Sequence, residues 1–118
     1  MAITWIEHNN KKILDIDLEK TTSTEKMIDT LIEAIDHIKG AGGKVLCLIN
    51  FEGTFFKKEL MDVLKSRTKD VAPLQEKVAM LGITGIKKVL MNIILTIAKG
   101  TKTRICNTRE EALDWLAE

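Results

Sequence analysis

Residues 44–51 read KVLCLINF, with five consecutive apolar residues, Val45 to Ile49, lying between the glycines Gly42 and Gly43 and the turn-like Glu52–Gly53. A strand with one wet face alternates apolar and polar residues, because successive side chains point to opposite sides of the sheet. This run does not alternate. It is the pattern of a strand covered on both faces, as in the interior of a mostly parallel sheet with helices packed on it. Cys47 then reads as a small hydrophobe of the core.

The upstream segments fit that placement. Ile28, Leu31, Ile32, Ile35 and Ile38 recur at helical spacing, and KGAGG closes the segment with a cation and glycines. Thr22 and Glu25 have the spacing of a capping box at its start. His37 falls in the last turn, where the helix dipole favours positive charge, and has a structural reading. Further upstream, ITWIEHNNKKILDIDLE predicts a hairpin turning at HNNK. In its second strand Ile13, Asp15 and Asp17 point one way and Leu14, Ile16 and Leu18 the other, so one face is expected to be wet. Asp15 and Asp17 lack a third ligand or a nearby histidine, which favours a solvated surface over a metal or catalytic pair.

Downstream, TFFKKELMDVLKSRTKD predicts a second helix with Phe56, Leu60, Val63 and Leu64 as its stripe. A loop around the single proline, Pro73, leads to the strand KVAMLGI and to a third helix from about Ile86. TKTRICN reads as the last strand and TREEALDWLAE as the last helix, with Thr108 and Glu111 again at capping-box spacing. The predicted fold is α/β: a mixed four- to five-stranded sheet with an N-terminal antiparallel hairpin and about four helices, joined by crossovers.

At 118 residues the chain reads as one domain over 1–118, with no internal repeat and no linker. A 45% hydrophobic and 30% charged composition is that of a globular protein. The first ten residues, MAITWIEHNN, carry no basic segment followed by an apolar core, and VLMNIILTIA is about half the ~20 residues a membrane span needs. Cys47 and Cys106, the two cysteines, have no metal or redox spacing. A cytoplasmic protein without cofactor or metal is expected.

The net charge of +1 is unevenly distributed: from Lys77 to Arg109 there are seven basic residues and no acid. If folding segregates the two signs, one face is positive and attracts anions. Within that run GITGIKKVLMN, residues 82–92, reads as strand end, glycine turn and helix start. Free amides at a helix N-terminus attract anions. This makes Thr84, Gly85, Lys87 and Lys88 candidate anion ligands, joined by Thr108 and Arg109 from the next helix start. The competing reading is that the threonines cap and the glycines only relieve strain. On the third helix Ile86, Val89, Leu90, Ile93, Ile94 and Ile97 form the expected core face, which leaves Met91 and Leu95 outside among Lys88 and Lys99. Apolar residues among lysines suit an anionic membrane surface, a partner protein or a homodimer seam.

The ordered run KKILDIDL, KVLCLINFEG, GITGIKKVLMNIILTIAKG and TREEALDWL resembles the SpoIIAA-like group, small relatives of the STAS domains that act as anti-sigma factor antagonists. The resemblance covers nearly the whole chain and implies a mixed sheet with helices mainly on one side. It implies no activity, since the fold is shared by lipid-handling and regulatory domains. In the antagonists a phosphorylated serine lies in a turn at the start of the helix after the corresponding strand. Here that stretch is NFEGTFFKKEL, with Lys57, Lys58 and Glu59 where the serine motif is expected and Thr54 the only nearby hydroxyl.

No enzyme reading is motivated. His8 and His37 adjoin no nucleophile motif, and GITGIKK lacks the P-loop spacing. Without tyrosine, and with Trp5 and Trp115 reading as core anchors, nucleic-acid binding is disfavoured as well. The expected function is a noncatalytic regulatory or binding domain that engages a partner protein or a small anionic or amphipathic ligand. The alternative is peripheral membrane or lipid binding.

Overall fold

A computed structural model describes residues 2–98 and 101–118. Five strands, β1 (Ile3–His8), β2 (Lys11–Asp17), β3 (Val45–Asn50), β4 (Gln75–Leu81) and β5 (Lys102–Ile105), form one sheet in sequential order, with β1 antiparallel to β2 and every other pair parallel. The helices are α1 (Thr24–Gly40), α2 (Lys58–Val71), α3 (Ile86–Leu95) and α4 (Arg109–Ala117). The KVLCLINF run is the central strand β3, as its lack of alternation requires.

The hairpin turns at Asn9 and Asn10, with φ of 49° and 66°. Positive φ at both central residues is the turn whose twist matches paired strands, and asparagine tolerates it. The first helix cap lies one residue beyond the expected one: the Ser23 hydroxyl, not Thr22, accepts from the Lys26 amide. Thr108 caps α4 as the spacing predicts, accepting from the Glu111 amide, and the Glu111 carboxylate accepts from the Asn107 amide. The second helix starts only at Lys58, so Phe56 lies in the preceding loop, where it packs edge-on against Phe51.

The sheet has two unequal sides. Helices α1, α2 and α3 cover the side bearing Leu14, Ile16, Cys47, Val78 and Met80. On the other side α4 alone packs over Ile13, Leu46, Leu48, Ala79 and Leu81 through Ala112 and Leu116. This corrects the wet face expected of β2: Ile13 is fully buried beneath α4, and Asp15 is half-buried in a bidentate pair with Arg109 at 2.7 and 3.3 Å. Only Asp17 of that face is exposed, and its carboxylate accepts from the Glu19 amide.

Lys77 lies on the α4 side. Its ammonium donates to the carbonyls of Trp115 and Glu118, at 2.9 and 3.3 Å, and lies 5.2 Å from the centre of the Trp115 ring. A cation at the negative end of a helix supplies donors to its unpartnered carbonyls. This lysine therefore anchors the C-terminus of α4 to the sheet. His8 on β1 adds a second anchor, with Nε2 2.8 Å from Asp114.

Candidate binding site

The residues flagged for anion binding are in place at two helix starts, but those starts belong to opposite sides of the sheet. Thr84 and Gly85 precede α3 in the three-helix layer, and Thr108 and Arg109 open the lone helix α4. Their polar groups already have partners. Lys87 reaches back to donate to the Phe51 carbonyl at 3.1 Å, the Thr108 hydroxyl caps its own helix, and the Arg109 fork grips Asp15. Lys88 and Thr84 remain exposed.

The basic run from Lys77 to Arg109 likewise does not form a uniform positive face. Lys77 is buried, Arg109 pairs with Asp15, and Arg104 lies 3.8 Å from Glu111. Folding brings the late acids of α4 back over the basic strands, a result that charge order along the chain does not reveal. The strand order also removes the usual crevice. Ligands of open α/β sheets settle where the strand order reverses, and here the order never reverses.

The turn after β3 is similarly closed. Thr54 is 3% exposed and donates its hydroxyl to the Phe51 carbonyl at 2.7 Å, so the sole hydroxyl near the expected phosphoacceptor position is buried and engaged.

The third helix is rotated from its expected orientation. Met91 is 1% exposed and Ile94 is buried beside it, with Leu95 packed against the same cluster, while Ile86, Val89 and Ile93 are 69%, 57% and 44% exposed. Met91 and Leu95 therefore face the sheet together with Ile94 and Leu90 of the expected core face, while Ile86, Val89 and Ile93 of that face form an outer stripe instead. Lys99 lies outside the described residues. The helix is apolar on both sides, so periodicity alone does not choose which side turns inward. The inward side is the one whose Met91, Ile94 and Leu95 pack into the core, with Lys87 at the helix start donating to the Phe51 carbonyl.

Beneath α3 lies a cavity of about 80 Å³ between the helix layer and the sheet, walled by Met91, Ile94 and Leu95 together with Val63 and Leu64 of α2. Its polar lining comes from Arg67, Thr68, Gln75, Thr101 and Thr103. Gln75 is buried, its amide 3.4 Å from the sulfur of Cys47, and Thr101 donates to the Ala72 carbonyl. Burial pushes the Cys47 thiol up to about 11, with the Gln75 contact acting weakly the other way. Burial, followed by the charge of Glu111, raises Cys106. Neither is a nucleophile at neutral pH. Among the described residues no group of three or more His, Cys, Asp or Glu side chains is placed to hold a metal ion, and no helix is long and apolar enough to cross a membrane.

This architecture is a small α/β domain with a SpoIIAA-like fold, with a layer of three crossover helices and one helix on the opposite side. A solved structure from Shewanella loihica, an uncharacterised protein of the DUF3478 family with a SpoIIAA-like fold, superposes with a TM-score of 0.69 at 18% identity, covering 98% of this chain and 92% of that one. At that identity the likeness establishes the fold. No family model and no curated protein sequence matches the chain.

Proposed function

We propose that this protein is a noncatalytic binding domain that takes a small amphipathic anion between its helix layer and its sheet. The observation that carries the reading is the cavity under α3, apolar on its walls and lined on its polar side by Arg67, Thr68 and Thr101. Mostly apolar lining with a few convergent polar groups is the composition of small-molecule sites. The free volume of about 80 Å³ admits a short apolar tail. A longer one requires repacking, for which the unbranched thioether of Met91 is suited. The guanidinium of Arg67, planar and always charged, complements a carboxylate or phosphate head. Native mass spectrometry of the purified protein, followed by thermal unfolding with octanoate and with octylamine, tests this. A copurified mass, or a rise in Tm with octanoate alone, is expected; neither appearing overturns it.

A second reading rests on a separate observation, the outer stripe of α3. Ile86, Val89 and Ile93, with Phe55 at 65% exposure, are the exposed large hydrophobics among the described residues. Exposed Lys57 and Lys88 lie at the starts of the neighbouring helices α2 and α3. An apolar stripe beside lysines suits an anionic membrane surface. Flotation with phosphatidylserine vesicles but not with phosphatidylcholine vesicles is the expected result. Absence from both sinks this reading, and dimerisation in sedimentation would reassign the stripe to a second copy of the chain.

A further inference from the structure

At the opposite lateral edge of the sheet, away from α3, the antiparallel hairpin extends past the helix layer and leaves an open groove of about 600 Å³ against the C-terminal half of α1. Its floor is Trp5, which packs against the edge of the main core and stays half-buried. Its two walls carry opposite charge. Glu33, Asp36, His37 and Gly40 line one wall and come from a single face of α1, three and four residues apart. Lys12 of β2 and Lys44, just before β3, line the other.

Lys12 stands diagonally across the antiparallel pair from Trp5, and its ammonium lies 4.6 Å from the centre of the Trp5 ring. A cation held over an indole face loses the freedom of an exposed lysine, so this charge is kept in the groove. Among the described residues none of Glu33, Asp36, Lys12 and Lys44 closes an ion pair, although Lys58–Asp62, Arg104–Glu111 and Arg109–Asp15 do so elsewhere. Two carboxylates and two ammoniums thus face the same open volume without neutralising each other. The C-terminus of α1 adds the negative end of a helix dipole on the carboxylate side.

We propose that this groove binds a small zwitterion of the amino-acid class. Its ammonium is held by Glu33 and Asp36, its carboxylate by Lys12 and Lys44, and its apolar body lies along the Trp5 edge. A ligand of one charge would be repelled by one wall as strongly as the other attracts it. A zwitterion satisfies both and spans the gap that keeps the walls from pairing. His37 lies beside Asp36 on the carboxylate wall. The proposal is independent of the cavity under α3, which shares none of these residues.

The test is heteronuclear NMR titration with leucine, and with isoamylamine and isocaproate, which keep its body but carry only the ammonium or only the carboxylate. Saturable shifts of the Trp5 indole and of the Lys12, Gly40 and Lys44 amides with leucine are expected, with at least tenfold weaker binding of either analogue. The exposed double variant Glu33→Gln with Asp36→Asn, and separately Lys12→Ala, should each weaken leucine binding at least tenfold while leaving the spectrum otherwise dispersed. No saturable shift with leucine, or equal shifts with either singly charged analogue, overturns the proposal. Octanoate added to the same sample should leave these resonances in place, which separates this site from the cavity.

Discussion

Gly82 shows how tightly the GITG connection is built. It has φ of 75°, and a Cβ placed there would lie 2.8 Å from the Phe51 carbonyl carbon and closer still to the Glu52 amide nitrogen. The obstacle is backbone, so little can yield. Gly82→Ala is expected to cost about 3 kcal/mol or more, combining left-handed strain with overpacking. Gly85 meets nothing within 4 Å, but its φ of 59° with ψ of −134° is a region almost confined to glycine. Gly85→Ala should therefore cost a smaller ~1–3 kcal/mol. Urea unfolding of both variants measures the difference, and a Gly82→Ala loss below that of Gly85→Ala contradicts this account. Both glycines are explained without any ligand.

Cys47 makes stability depend on pH at the same scale. Its thiol is raised to about 11 in the fold against an ordinary value of 9.0, so the folded state holds this proton more firmly than the unfolded chain. The contribution is fully present below about pH 9 and is lost as pH rises towards 11. Unfolding free energy measured across that range should fall more steeply for the native chain than for Cys47→Ala. Parallel slopes would show that the thiol is not desolvated as described.

Among the elements, α3 has a predictable asymmetry. Met91→Ala should destabilise by about 2–4 kcal/mol, because a fully buried side chain is removed from a layer that already contains a cavity. Val89→Asp and Ile93→Asp on the exposed stripe should each change stability by less than about 1 kcal/mol. If the Val89 and Ile93 variants unfold the protein and Met91→Ala does not, the orientation of the helix is wrong. The existence and start of this helix were readable from GITG followed by an apolar run, but its rotation was not. Ile94 fits both the expected face with Val89 and Ile93 and the observed one with Met91 and Leu95, and the polar pair Lys88 and Asn92 is too narrow to break the tie. The α4 helix presents the contrasting case. Its cap at Thr108 was legible from spacing because capping is local, and Thr108→Ala should cost about 1 kcal/mol by the same unfolding measurement.

At the scale of the whole molecule, strand order governs where binding can occur. A sheet in sequential order with α1, α2 and α3 on one side has no reversal of strand order at which a crevice would open, and among the described residues concave volume lies within the helix layer and beside the hairpin. Enlarging Val63 to Leu on the cavity wall should raise stability by up to about 1 kcal/mol. It should also remove any Tm response to octanoate, and a retained response would place the ligand elsewhere. Lys77 belongs to this scale too, because it joins β4 to the end of α4. Lys77→Met should loosen α4 in hydrogen exchange while leaving the three-helix side protected.

Element type, element order and the central position of KVLCLINF follow from the sequence by itself. Strand alternation, helical spacing, turn glycines and caps are all set by neighbours a few residues away. Only the tertiary structure decided which charges cancel and which faces close. Asp15 meets Arg109 across 94 residues, and Lys77 meets the Trp115 carbonyl across 38. Ion pairs and helix rotations are settled by what packs against a segment in space. For that reason a run without acids became a surface of mixed charge, and Met91 and Leu95, which periodicity placed outside, became the wall of a cavity.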